Sequence, residues 1–192
     1  PNGNIPNLES YATAEAAGDD RALFNGINRS LDNDDVATFK SGFGVAKFTN
    51  FKTDGSAGHD ATFPDADFFL MRAAEAYLNF AEADARINGG QTTDEGTAAI
   101  NAIRKRANAS TREDKGYSLN DICDEWSREF YFEGRRRMDL IRFNRFGGNV
   151  NYNWQWKGGT KEGRNFSKDL NIFAIPTNEL TSNKNLTQNP GY

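Results

Sequence analysis

Residues 67–88 read D-F-F-L-M-R-A-A-E-A-Y-L-N-F-A-E-A-D-A-R-I-N and run into Gly89-Gly90. Leu70, Ala73, Ala74, Tyr77, Leu78, Ala81 and Ala85 recur at the 3.6-residue period of one helix face, while Arg72, Glu75, Asn79 and Arg86 fall opposite. The spacing predicts an amphipathic helix from Asp67 to Asn88, stopped by the glycine pair. Thr92 with Glu95 three residues later is a capping-box pattern, opening a second helix to about Asn108 on Ala98, Ala99, Ala102, Ile103 and Ala107. So short a connector predicts an antiparallel helical hairpin. Ser118 with Asp121 repeats the capping pattern and starts a third helix through Ile122, Trp126, Phe130 and Phe132. Gly134 predicts a break or a close helix contact, and a further helical stretch covers Arg136 to Arg145 before Gly147-Gly148.

Outside these stretches the helical period disappears. Asn, Asp, Gly and Thr interrupt every apolar run in residues 1–66, where only Phe43 to Phe51 reads as a short strand or extended segment. Residues 149–169 carry no period, and the tail offers one apolar run, Ile172 to Ile175, before Pro176 and a polar coil. The reading therefore divides the chain into an irregular segment 1–66, a helical core 67–148, and an aromatic loop with tail 149–192. Together these make a piece of one larger domain. The fold class is mainly α, with tetratricopeptide-like helix pairs and long irregular loops.

Composition narrows the function. The 192 residues hold 23 Lys plus Arg against 27 Asp plus Glu, a net charge of −4 that gives no electrostatic reason to expect nucleic acid. No stretch approaches the roughly 20 apolar residues of a membrane-spanning helix, so membrane association would have to come through an anchor outside this chain. The opening Pro1-Asn2-Gly3-Asn4 has no initiator Met, basic region or apolar leader, and reads as a mature piece or fragment. Cys123 is the single cysteine and His59 the single histidine, which excludes an internal disulfide and falls short of a zinc ligand set. Cys123 reads as a small buried hydrophobe. No cofactor is implied.

Two constellations remain. Glu129, Glu133 and Arg136 share a face if the third helix continues, and two glutamates four residues apart repel on an isolated helix. Arg104, Arg106 and Arg136 are the candidate cations. A carboxylate pair for glycoside hydrolysis needs one acid with a raised pKa. Glutamates alternating with arginines predict ion pairs bracing the helices instead, and Asp139 and Arg142 belong to the same structural set. Asp84, among apolar positions, calls for a partner such as Arg104 or Lys105. In the loop, Tyr152, Trp154 and Trp156 alternate; if extended, all three side chains point one way and offer ring faces to sugars, with Asn and Gln beside them. The competing expectation is that these rings fold back over the helices.

The ordered motifs resemble the carboxy-terminal region of the SusD/RagB family. Arg72, Ala74, Glu75, Ala81, Glu82 and Ala83 are similar to that family's Arg-x-Ala-Glu…Ala-Glu-Ala helix, and Ile100-Asn101-Ala102-Ile103-Arg104-Lys105-Arg106-Ala107 to its Ile-Asn-x-Val-Arg-x-Arg-Ala segment. Residues 129–142, E-F-Y-F-E-G-R-R-R-M-D-L-I-R, resemble its Glu…Glu-Gly-x-Arg…Asp-Leu-x-Arg signature, and the ending fits through Ile175-Pro176, Glu179, Asn183 and Gln188-Asn189-Pro190-Gly191-Tyr192. Departures lie at Glu125-Trp126 and Arg137. The resemblance implies an α-helical lipoprotein on the extracellular face of the outer membrane, lipid-anchored through a part outside this chain. It implies binding of an oligosaccharide or other nutrient ligand, delivery to a SusC-like TonB-dependent transporter, and no catalysis. The alternatives are a helical-repeat protein-interaction module or a glycoside-active enzyme using Glu129 and Glu133. No family ligand residue carries over, because such residues vary and lie on inserted loops.

Overall fold

The structure, a computed structural model, describes residues 18–148 and 152–192. It divides into two compact units, Pro1–Glu133 and Gly134–Tyr192, a boundary inside the segment the sequence reads as one core.

In the first unit, a two-residue strand β1 (Phe24–Asn25) pairs antiparallel with β2 (Gly44–Val45), Phe24 opposite Val45. Three helices follow, α1 (Ala73–Ile87), α2 (Asp94–Arg106) and α3 (Leu119–Phe130), with α1 packed against both others. The helical pairing expected from the sequence is present. Its buried stripe differs in detail. Ala74, Leu78, Ala81, Glu82 and Ala85 face inward, whereas Tyr77 is exposed and Leu70, 88% exposed, precedes the helix. Arg72 is extended (φ −148°, ψ 157°), so α1 begins six residues later than its apolar period suggests. The core is Leu78, Ile100, Ile103, Tyr117, Ile122, Cys123, Trp126 and Phe130. Trp126 is fully buried, and its indole N–H donates to Glu82 at 2.9 Å.

The helix junctions are set by side chains. Asp84 does not reach Arg104 or Lys105. Its carboxylate accepts the Thr93 N–H at 2.7 Å and the Thr93 hydroxyl at 2.9 Å, tying the end of α1 to the start of α2. A Cβ at Gly96 would lie 2.2 Å from that carboxylate, so only glycine admits the contact. Thr93, not Thr92, is therefore the N-cap. Thr92 is drawn inward, where its hydroxyl bonds Thr97 at 2.7 Å and accepts the Tyr117 N–H at 2.8 Å. The Ser118–Asp121 box forms as predicted: Ser118 Oγ accepts the Asp121 N–H and Asp121 accepts the Ser118 N–H. α3 ends at Phe130, because Tyr131 turns extended and Phe132 and Gly134 take left-handed φ. Glu133 and Arg136 consequently do not continue the α3 face.

The second unit contains α4 (Arg136–Arg142), two 3-10 turns (Lys157–Gly159 and Lys168–Asn171) and α5 (Thr177–Ser182). α4 is shorter than its pattern suggests, and α5 corrects the expected polar coil. Gln188 clamps the tail onto its apolar run, accepting from the Ile175 N–H at 2.8 Å and donating to the Ile175 carbonyl at 3.0 Å. Asn189 donates to the Phe173 carbonyl at 2.8 Å.

The capping box predicts its own energy. Ser118→Ala should lower stability by about 1 kcal/mol, read as a shifted urea midpoint at unchanged m-value; an unmoved midpoint would show that α3 nucleates without the cap.

Candidate functional site

Two side-chain clusters compete for the role of functional site, one in each unit. The first surrounds Glu129, which is 2% exposed. Arg106, the last residue of α2, donates to both Glu129 oxygens at 2.8 and 2.7 Å. Arg21 donates to it at 3.1 Å, and Arg72, just before α1, pairs with it too. Arg72 also forks onto Glu133 at 2.8 Å through Nε and Nη2 and lies 4.0 Å over the Phe130 ring. Lys47 bonds Glu133 and the carbonyls of Glu129 and Tyr131. Glu125, equally buried, takes Arg21 at 2.7 Å and Arg104 at 2.6 Å.

This electrostatic setting decides what the carboxylates can do. Burial by itself raises the pKa of Glu129, but hydrogen bonds and charge from Arg106 and Arg72 outweigh it and hold the group below its ordinary value. Glu133 is lowered in the same way, with Arg72 and Lys47 overcoming burial. A general acid needs the opposite shift. The arrangement suits structural anchoring, and the sequence reading missed four of its members: Arg21, Lys47, Arg72 and Glu125. Arg72 had a signal, a lone cation beside the apolar run Phe68 to Met71. Arg21 sits in irregular chain and Lys47 in the short extended run Phe43 to Phe51, and neither carries such a signal.

The remaining members of the expected set lie in the second unit. Asp139, 1% exposed, pairs with Arg142 at 3.0 Å and Arg135 at 3.3 Å. Arg136 donates to the Tyr152 hydroxyl at 3.2 Å. Among the described residues no group of three His, Cys, Asp or Glu side chains sits where it could hold a metal ion.

The second cluster is aromatic. Asn151 lies outside the described residues, so the loop begins at Tyr152. Tyr152, Trp154 and Trp156 do not alternate along an extended strand. The Lys157 N–H bonds the Trp154 carbonyl at 3.1 Å and Trp156 takes a left-handed φ of 65°, so the segment is a turn. Gly163 lets the returning chain pass, since a Cβ there would lie 2.2 Å from the Trp154 carbonyl oxygen. The Trp154 ring packs beside Tyr152, Phe146 and Phe166 at 6.3, 6.5 and 6.4 Å. Lys157, only 2% exposed, places its ammonium 4.7 Å from the Trp154 ring and 5.1 Å from that of Phe166, and donates to the Tyr152 carbonyl at 2.8 Å. Burial lowers its pKa. Trp154 remains 38% exposed and Trp156 is half-buried.

Comparison with known proteins places this geometry. The SusD family profile matches residues 11–192. The starch-binding protein SusD of Bacteroides thetaiotaomicron is 43% identical over 182 residues, 93% of this chain. The chain belongs to the SusD family. It spans 32% of the length of that curated relative. Among solved structures, a SusD superfamily protein from Parabacteroides distasonis superposes with a TM-score of 0.64 at 23% identity, covering 98% of this chain and 42% of the other. Surface glycan-binding protein A from Bacteroides thetaiotaomicron, in complex with laminarihexaose, gives 0.61 at 18% identity over 95% and 40%. At that identity the structures establish the SusD-like, mainly α fold expected from the motifs. The SusD-type motif residues Arg72, Arg104, Arg106, Glu129 and Glu133 are thus among the members of the ion cluster.

Glu129→Gln should cost roughly 3–5 kcal/mol, the effect of stranding buried guanidiniums without their counter-charge. Glu129 and Glu133 bind protons less readily folded than unfolded, so the stability they add is present above their ordinary value of 4.5 and is lost as pH falls through their lower folded values. Denaturant midpoints measured from about pH 5 to pH 2 should fall for the native chain and flatten in Glu129→Gln; parallel curves would assign the acid sensitivity elsewhere.

Proposed function

We propose that this chain is the carboxy-terminal part of a protein that binds oligosaccharides at the extracellular face of the outer membrane and hands them to a SusC-like TonB-dependent transporter. The observation that carries this reading is membership of the SusD family, with 43% identity to a starch-binding protein over 93% of the chain. In this reading a lipid anchor lies outside the chain; among the described residues no helix is long and apolar enough to cross a membrane. Binding without turnover is supported by Glu129 and Glu133, whose guanidinium partners keep them ionised and engaged.

Trp154, Tyr152 and Trp156 are the contact residues in this proposal, with Trp154 foremost. Its ring combines apolar area with partial exposure, and pyranose rings present apolar C–H faces that stack on indoles. Because Trp154 also packs in the cluster, binding and stability must be read together. Trp154→Ala should weaken calorimetric binding of maltoheptaose about tenfold and cost about 1–2 kcal/mol, less than the roughly 3–5 kcal/mol of a fully buried Trp. Trp154→Phe should restore the stability but not the affinity. Native affinity in both variants would remove the loop from the proposal. A blank glycan array beside specific capture of a protein partner would favour the protein-interaction module.

A further inference from the structure

The segment between the two strands builds a feature that neither cluster uses. Phe132 sits at φ 59°, a left-handed backbone that bulky residues rarely adopt, and its side chain is 70% exposed. Its neighbours explain the turn. The Tyr131 hydroxyl donates to the Arg21 carbonyl at 2.7 Å and its ring stacks on Phe24 at 5.2 Å, while Glu133 is held by Arg72. The residue between two such anchors must turn outward, and glycine or asparagine would do so with less strain. A phenylalanine there combines backbone strain with an apolar ring in water.

Phe132 lines a hollow of 570 Å³ together with Asn25, Arg29, Asp35, Thr38 and Phe39. That size lies within the ordinary range of small-molecule sites, roughly 300–1,000 Å³. Phe39 is 87% exposed, with the Arg29 guanidinium 4.5 Å over its ring. Among the described residues the Arg29 guanidinium donates through Nη1, to the carbonyls of Phe39 and Gly42, and Nε and Nη2 remain as donors. The loop is internally fastened. Ser41 Oγ accepts the N–H groups of Asp34 and Asp35 at 2.7 and 2.9 Å, and the Asp35 carboxylate accepts from Ala37 N–H at 2.9 Å and the Thr38 hydroxyl at 2.6 Å. An already ordered loop loses little freedom on meeting a ligand. Exposed aromatic side chains beside planar amide, carboxylate and guanidinium groups match saccharides, whose C–H faces stack on rings and whose neighbouring hydroxyls bond such groups in pairs.

We propose that this hollow is a second saccharide-binding site, with Phe132 and Phe39 as stacking platforms and Arg29 and Asn25 as partners of the sugar hydroxyls. It rests on the glycan-binding reading above but uses residues other than the Trp154 loop. Phe132→Gly keeps the turn and removes the ring; Phe39→Ala removes the other platform from an exposed position. In the full-length protein, binding would be measured by calorimetry with maltoheptaose, laminarihexaose and whichever neutral oligosaccharides a glycan array returns. Both variants should weaken one of the two binding events in the titration at least tenfold and leave the other at its native affinity, with Phe132→Gly melting at or above the native temperature because strain is relieved. Both binding events surviving at native stoichiometry and affinity in the two variants, with or without a lowered melting temperature, overturns the site and leaves the glycan reading standing. If the native protein binds no saccharide on the array or in calorimetry, the glycan reading itself falls and this site with it.

Discussion

Glu129 is a carboxylate withdrawn from water at the carboxy-terminal end of a helix, where the helix dipole already presents negative charge. Both features disfavour its ionised form, and that form persists because Arg21, Arg72 and Arg106 converge on it. Each cation comes from a different part of the chain: Arg21 from the segment before β1, Arg72 from the residue preceding α1, Arg106 from the end of α2. One anion thus fixes where three stretches meet the end of α3. Arg21 reaches on to Glu125, where Arg104 joins it, and Arg72 reaches on to Glu133, so the node extends into a chain of alternating charge along the unit. Apolar packing among Leu78, Ile100, Ile122 and Trp126 supplies the non-directional part of the stability. The charged node supplies register, since a guanidinium fork accepts a carboxylate only in a narrow geometry.

The division between legible and hidden features follows the range of the interactions. The helices of the first unit, the Ser118–Asp121 cap and the break near Gly134 depend on residues within about one helical turn of each other, and the sequence displays them. The partners in the node do not. Arg72 and Glu129 are 57 residues apart, and Arg21 and Glu129 are 108 apart. No local period encodes such pairings. Asp84 is an instructive miss: a carboxylate among apolar positions suggested a cation, whereas backbone N–H and hydroxyl donors at the next helix start satisfied it. The quoted motifs offset part of this blindness, because they contain Arg72, Arg106 and Glu129, whose partners cannot be inferred one helix at a time. Asn101 behaves likewise, accepting from the Tyr117 hydroxyl and donating to the Arg112 carbonyl inside the helical unit.

The loop misled for a different reason. Alternating Tyr152, Trp154 and Trp156 carry the period of a strand, but period is only a tendency and glycines govern the path. Gly158, Gly159 and Gly163 all take left-handed φ and fold the segment into a turn that no extended reading allows. The alternation therefore says which side chains are large, and nothing about where they face.

What the turn accomplishes is visible at Lys157. An ammonium sealed among rings is costly, and burial depresses its proton affinity accordingly. It donates to the Tyr152 carbonyl and lies beside the Trp154 and Phe166 rings, so part of its lost hydration is replaced by ring quadrupoles. The geometry acts on Trp154 in return. A cation near the ring, with Phe146, Phe166 and Tyr152 around it, fixes the indole's orientation while a third of its surface stays open. A side chain that is both oriented and accessible is uncommon, because orientation ordinarily requires burial. Here the conflict is resolved by burying the lysine beside the ring rather than the ring itself.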